Sequence, residues 1–239
     1  MFLVIRKRQL ILAVAVLILA AGTFLVPEKL ARVFAPEPKQ QTVRLIIDAG
    51  HGGEDGGAVA ADGTVESRIN LDIALRLEDV MAFLGKASDM TRREDVSVYT
   101  EGAETLRQKK VSDLKNRVAQ INAVPDGRLI SIHQNSMPSS PGVRGAQAFF
   151  NTVPGSDLLA GEVQNSLNQA VNERGKTAKK IPDTIYLMKH VTCPAVIVEC
   201  GFLSNAGEAS LLQSRDHQLK LAAAIAAGYQ RYLTSEETT

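Results

Sequence analysis

Several side chains in this sequence are of the types that bind metal ions and move protons in hydrolases. His51 lies in a glycine-dense loop, Glu66 opens a predicted helix after that loop, and His133 ends an apolar run. Catalytic zinc usually takes three protein ligands drawn from histidine, aspartate and glutamate, and it keeps a fourth position open. These residue types therefore predict a zinc site. Spacing alone leaves the alternatives open, because a first-turn glutamate can merely complement the helix dipole and a strand-end histidine can merely be hydrogen-bonded.

A second glutamate, Glu199, has a different predicted role. The four residues before it, 195–198, are all apolar, so its carboxylate should lie in poorly solvated surroundings. Such a group is suited to accept a proton from water and return it to a leaving amine. The alternative is a buried glutamate that pairs with a neighbouring arginine or with backbone amides.

Four further polar residues are candidates for supporting roles. We expect Asp48 to orient a histidine and Asp55 to order its loop through an Asx turn. Asn135 could reach the substrate, or it could stabilise a turn. Arg144 could contact a substrate carboxylate, or it could be a solvated loop charge.

The elements that must position these residues follow an α/β pattern. Short apolar runs alternate with segments of helical periodicity, which predicts one domain with a mostly parallel twisted sheet flanked by helices. Open sheets of this class bind ligands beyond the carboxyl ends of their strands, so the site is expected there. The predicted strands are 43–48, 86–91, 128–133, 146–150, 184–188 and 195–199, and the predicted helices are 66–84, 111–123, 156–172, 207–213 and 216–233.

Composition excludes some classes of function. The chain has 239 residues, with 27 basic and 26 acidic side chains and a formal net charge of +1. That length suits one well-packed domain. Because the charges nearly cancel, no global field favours binding to nucleic acid.

The N-terminal segment is typical of an exported protein. Arg6, Lys7 and Arg8 precede a charge-free run, 9–26, that is close to the shortest length able to span a bilayer. We therefore predict a signal or membrane anchor at residues 1–26, a proline-containing linker at 27–41 and a catalytic domain at 42–239. The basic flank predicts that everything after the anchor is carried across the membrane. Whether the segment is cleaved stays open.

Several motifs, taken in order, resemble one known family. They are Ile47–Gly57 (IDAGHGGEDGG), Glu66 before Asn70 and Leu71, Thr91-Arg92, Ser131–Asn135 (SIHQN) and Val198–Asn205 (VECGFLSN). Together they resemble the zinc-dependent N-acetylmuramoyl-L-alanine amidases of the type 3 family, from about Val43 to Leu233. Many members of the family have Pro at the position of Gly56. This difference affects the loop conformation and does not involve a proposed ligand.

The resemblance implies specific roles. It makes His51, Glu66 and His133 the zinc ligands and Glu199 the catalytic glutamate. It also implies the substrate, which is the amide between the lactyl group of muramic acid and the first L-alanine of the peptidoglycan peptide.

Within the family, the likeness is strongest to membrane-anchored members that act on spore cortex. The runs 92–109 and 184–194 carry that likeness. It implies peptide removal that lets a partner deacetylase form muramic δ-lactam, which germination enzymes recognise, and it allows for an activating lipoprotein. The alternatives are a general autolysin for cell separation, a non-catalytic peptidoglycan-binding module and a deacetylase of amino sugars.

Overall fold

The architecture is that of a three-layer α/β domain. A computed structural model describes residues 43–237. The strands are β1 (Arg44–Ala49), β2 (Ser88–Met90), β3 (Gly127–Asn135), β4 (Gln147–Phe150), β5 (Lys179–Lys180) and β6 (Ala195–Phe202). The helices are α1 (Glu66–Phe83), α2 (Leu106–Asn122), α3 (Ser156–Ala170), α4 (Tyr186–His190), α5 (Ala206–Leu212) and α6 (Arg215–Glu237).

The six strands form one sheet in the order β2-β1-β3-β6-β4-β5. Strands β2, β1, β3 and β6 are parallel, whereas β4 runs antiparallel to β6 and is parallel to β5. The predicted α/β class with a mostly parallel sheet is therefore confirmed. The carboxyl ends of β1, β3 and β6 lie side by side at one edge.

Strand alternation divides the core between the two faces of the sheet. Ile47, Ile130 and Val198 belong to a large cluster that includes residues of α1, α3 and α6. Ile46, Leu129 and Ile197 belong to a smaller cluster under α2 and α4. Successive strand residues point to opposite faces of the sheet. Because helices cover both faces, consecutive residues of the central strands must be apolar.

Two predicted elements differ from the structure. The predicted strand 184–188 is wrong, because Tyr186–His190 forms the short helix α4. Its buried residues Leu187 and Met188, together with Val191 just after it, have the spacing of a helical face, and a run this short does not distinguish a helical from an extended period. The predicted start of helix 111–123 is wrong, because α2 already begins at Leu106 after a capping box between Thr105 and Gln108.

The predicted membrane segment cannot be compared with these elements. Residues 1–26 and the linker 27–41 lie outside the described residues. Among the residues that are described, no helix is long and apolar enough to cross a membrane.

Candidate metal centre

Three of the predicted site residues meet at the carboxyl edge of the sheet. His51 follows β1, Glu66 is the first residue of α1, and His133 lies near the end of β3. One potential ligand atom from each of them lies within 4.8 Å of the other two. Residues that are up to 82 positions apart in the chain are thus gathered because parallel strands end at the same edge.

The carboxylate of Glu66 is the centre of this cluster. Its Oε1 atom lies 3.0 Å from His133 Nδ1 and 3.4 Å from His51 Nε2. Zinc bonds of about 2.0–2.1 Å in a tetrahedron place neighbouring ligand atoms about 3.3 Å apart. The donor set and these separations therefore fit a zinc ion.

Glu66 is itself held firmly. Its side chain is buried, and its Oε2 atom accepts a hydrogen bond of 2.8 Å from the Ala58 backbone. Oε1 accepts further bonds from Gln134 N at 3.1 Å and Asn70 Nδ2 at 3.2 Å. Burial opposes ionisation, but the hydrogen bonds and charges of the two histidines prevail and hold the pKa of Glu66 well below its usual range. The group is thus an anion, as a metal ligand must be.

The imidazole of His51 is oriented by Asp55. Its Nδ1 atom lies 2.9 Å from Asp55 Oδ2, and Asp55 also pairs with Lys110 at 3.2 Å. A carboxylate on one ring nitrogen leaves the other nitrogen free to bind a metal. Without a metal, burial disfavours the charged ring, but the hydrogen bonds that the ring donates to Asp55 and Glu66 raise the pKa of His51 to about 9. The expectation that Asp55 acts only through a turn is therefore wrong.

Asp48 does not orient a histidine, contrary to the expectation. Its carboxylate accepts hydrogen bonds from Arg117 Nη1 at 2.7 Å, Thr91 Oγ1 at 2.7 Å and Ser131 Oγ at 2.6 Å. Burial opposes its ionisation, but Arg117 and the two hydroxyls lower the pKa of Asp48 to about 2. Asp48 is the counter-ion of a buried arginine.

Arg117 and Arg92 both donate hydrogen bonds to backbone carbonyls at His51 and just before it. Arg117 donates to the carbonyl oxygens of Ala49 at 2.8 Å and His51 at 2.6 Å, while Asp113 accepts from its Nε at 2.7 Å. Arg92 donates to the carbonyls of Ala49 and Gly50 at 2.9 and 3.0 Å. His51 has a φ of 60°, which a non-glycine residue adopts only when its surroundings hold it there. The two arginines supply that restraint.

Neither arginine was predicted to hold this loop, although Arg92 belongs to the Thr91-Arg92 motif. The available signal was the helical spacing of Asp113, Arg117 and Ile121, which share one buried stripe of α2. A charged stripe of this kind usually indicates a solvated face, so it does not by itself reveal a buried clamp.

Two glycines allow the cluster to close. A Cβ atom on Gly50 would lie 2.3 Å from two atoms of the His133 ring. A Cβ atom on Gly57 would lie 2.5 Å from Glu66 Oε2, and Gly57 also has a φ of 71°. A side chain at either position would collide with a candidate ligand, so the loop requires glycine there.

Glu199 lies beside His133. The two residues are paired in register on the parallel strands β3 and β6, so their side chains point to the same side of the sheet. Glu199 is half-buried, and its Oε2 atom is shielded from solvent and has no hydrogen-bond partner among the described residues. Burial raises the pKa of Glu199. The alternative of a glutamate neutralised by an arginine is not what the described residues show.

The two candidate substrate contacts lie in different places. Asn135 ends β3, and its backbone carbonyl accepts a hydrogen bond of 2.8 Å from Leu203 N. Arg144 is exposed, pairs with Glu173 at 2.9 Å and lines a cavity beside β4. Neither side chain contacts the histidine cluster through a hydrogen bond or ion pair in the part of the chain described.

An α/β sheet with two histidines and two glutamates gathered at its carboxyl edge fits a hydrolase that can bind a metal. The family profile described as N-acetylmuramoyl-L-alanine amidase matches residues 45–231. The chain belongs to that family, and it is an enzyme, an N-acetylmuramoyl-L-alanine amidase.

Similar proteins agree with this assignment. The germination-specific N-acetylmuramoyl-L-alanine amidase of Bacillus subtilis is 37% identical over 193 residues, which cover 80% of each chain. The amidase LytC of the same organism is 31% identical over 194 residues, 79% of this chain and 35% of LytC. The solved structure of the CwlD amidase from Clostridioides difficile, in complex with the GerS lipoprotein, is 38% identical with a TM-score of 0.77. The match covers 81% of this chain and 100% of the CwlD chain.

Proposed function

We propose that the enzyme is a zinc amidase in which His51, Glu66 and His133 hold the ion and Glu199 is the catalytic carboxylate. The observation that carries this proposal is the convergence of the three ligand atoms within 4.8 Å. Their oxygen and nitrogen donors are those that zinc hydrolases use, and Glu199 lies beside His133 on the neighbouring strand.

A bound zinc ion would supply Lewis-acid chemistry, polarising an amide carbonyl and acidifying water. Glu199 supplies the proton transfer. Its raised pKa and unpartnered Oε2 atom suit it to accept a proton from the attacking water and to deliver that proton to the leaving amine. The bond that breaks joins the lactyl carbonyl carbon of muramic acid to the nitrogen of L-alanine.

The rigid surroundings of the cluster favour this chemistry. Asp55 fixes one ring nitrogen of His51, and Arg117 fixes the carbonyl of the same residue. Groups that are held in place before the substrate arrives cost little reorganisation during the reaction. We include Asn135 and Arg144 as substrate contacts, Asn135 because it ends β3 and Arg144 because it lies on the rim of the neighbouring cavity.

The cellular role that we propose is in spore cortex. The germination-specific relative supports it, and peptide removal by this enzyme would then precede a deacetylase step that forms muramic δ-lactam. The complex of the similar amidase with a lipoprotein supports an activating lipoprotein as a partner. A general autolysin is the second candidate, because LytC is also similar.

The placement of the enzyme follows from its substrate and its first residues. We propose that residues 1–26 form a signal or membrane anchor, that 27–41 form a linker, and that the catalytic domain 42–239 acts outside the cytoplasm. The basic residues before the apolar run support this orientation.

Product analysis tests the activity. The full-length protein is incubated with purified spore cortex and with vegetative cell-wall peptidoglycan, and the products are identified by mass spectrometry. We expect released peptides with a free L-alanine amino group, and a loss of roughly 100- to 10,000-fold in rate for Glu199→Gln at unchanged zinc content. Full activity of Glu199→Gln, or acetate as the product, would overturn the proposal. Preferential release from vegetative walls would favour the autolysin.

A further inference from the structure

A basic cavity lies beside β4, apart from the histidine cluster. It has a volume of about 520 Å³. Arg144, Arg174 and Lys176 line it together with Cys200 and Glu208. A concave site with several cations suits an anionic group on a ligand.

The cavity begins next to the catalytic glutamate. Gln147 of β4 is paired in register with Glu199 of β6. The neighbours of that pair, Ala146 and Cys200, both line the cavity, and their side chains point to the opposite face of the sheet from that of Glu199. One residue of extended chain spans about 3.3 Å. A peptide that runs from the scissile amide past this end of β4 would need only a few residues to reach the cavity.

The acidic residues of the cavity are already occupied. Glu208 accepts hydrogen bonds from Gly145 N at 2.7 Å and from Phe202 N at 2.8 Å. Glu173 pairs with Arg144 at 2.9 Å. Arg174 and Lys176 form no ion pair with a carboxylate in the described residues, so they can bind an anionic ligand without first breaking one.

Lys176 is held in place before any ligand binds. Asn168 of α3 accepts a hydrogen bond of 3.0 Å from Lys176 N and donates one of 2.8 Å to Lys176 O. The ammonium group donates to the Gly145 carbonyl and lies 5.1 Å from the centre of the Phe202 ring. Burial lowers the pKa of Lys176, although the charge of the nearby Glu208 opposes this shift. A fixed cation loses little conformational entropy on binding.

We propose that this cavity is a carboxylate subsite, in which Lys176 and Arg174 bind a free carboxylate of the peptide attached through L-alanine. The inference rests on the proposed amidase function and adds a substrate requirement to it. Charge-assisted hydrogen bonds to a carboxylate are about twice as strong as neutral ones, so the subsite would select peptides that retain this group.

Two synthetic substrates test the subsite with the full-length enzyme. They are muramoyl tripeptides that differ only in whether the peptide carboxyl groups are free or converted to carboxamides. The wild type should show a KM about tenfold lower for the free-carboxylate substrate, at similar kcat. Lys176→Met should raise that KM about tenfold and leave the carboxamide substrate unchanged, whereas Lys176→Arg should retain the preference.

Further variants make the test decisive. Arg174 is exposed, so Arg174→Gln should fold normally and weaken the preference even if Lys176→Met is unstable. Lys180→Met removes an exposed cation outside the cavity and should change neither KM. Equal KM values for the two substrates in the wild type, or equal losses for both in the variants, would overturn the subsite alone. Failure of the wild type to release peptide from either substrate would overturn the amidase proposal and the subsite together.

Discussion

The guanidinium group of Arg117 donates a hydrogen bond of 2.6 Å to the carbonyl oxygen of His51. The two residues lie 66 positions apart, and His51 has a left-handed backbone conformation. A candidate metal ligand is thus held in an uncommon conformation by a buried charge whose counter-ions are Asp48 and Asp113. The site depends on this polar interior as much as on the ligands themselves.

Replacing Arg117 should destabilise the fold strongly. Arg117→Met leaves Asp48 and Asp113 buried without their cation, which is expected to cost about 3–5 kcal/mol in the free energy of unfolding. Arg107 lies on the same helix and is exposed, so Arg107→Met should change that free energy by less than about 0.5 kcal/mol. Urea denaturation measures both. Equal stability of the two variants would contradict the structural role of the buried pair.

The stability of the protein should depend on pH through Asp48. Its pKa in the folded state is about 2, below the ordinary value of 3.8, so its contribution is complete above about pH 5 and is lost as pH falls through about 2. The contribution is roughly 2 kcal/mol. Asp48→Asn should therefore be less stable than the wild type at pH 6, and the difference should shrink at pH 2.5. Denaturant unfolding at both pH values measures this, and a constant difference would refute the assignment.

Removal of the carboxylate that orients His51 should weaken metal binding. Asp55→Asn loses the charge that fixes the ring, and such changes typically cost roughly 10- to 100-fold in metal affinity. Among the described residues, the neighbouring Glu54 forms its ion pair with Lys109 and does not contact His51, so Glu54→Gln is the matched control. Zinc affinity is measured by competition with a chromogenic chelator. Identical affinities for the two variants would show that Asp55 does not support the site.

A methyl group at Gly50 should displace His133. The Cβ atom of Gly50→Ala would lie 2.3 Å from the ring, so either the ring or the loop must move, and zinc affinity should fall by at least about tenfold. Gly161 lies in helix α3 with open space around it, so Gly161→Ala should leave affinity unchanged and stabilise the helix by about 0.5–1 kcal/mol. Chelator competition and thermal unfolding report the two effects. Unchanged zinc affinity in Gly50→Ala would contradict the close packing.

The fold was predictable because each element carries its own periodicity. The apolar runs of β1, β3 and β6 and the helical stripe of α1 identify buried elements, and strand ends indicate where polar residues collect. The short helix α4 was misassigned because five residues do not distinguish a helical from an extended pattern. In the structure Asp48 pairs with Arg117 and Asp55 pairs with His51. The sequence could not predict this assignment, because either aspartate could pair with Arg117 or with His51 until the loop conformation is known.

The zinc content of the purified full-length protein tests the central claim most directly. Protein produced with zinc available is dialysed and its metal content measured by mass spectrometry, together with His133→Ala and Glu199→Gln. If His51, Glu66 and His133 hold zinc, the ion should be stoichiometric in the wild type and in Glu199→Gln, and most of it should be lost from folded His133→Ala. Folded wild-type protein without zinc, or full retention of zinc by His133→Ala, would contradict this ligand set.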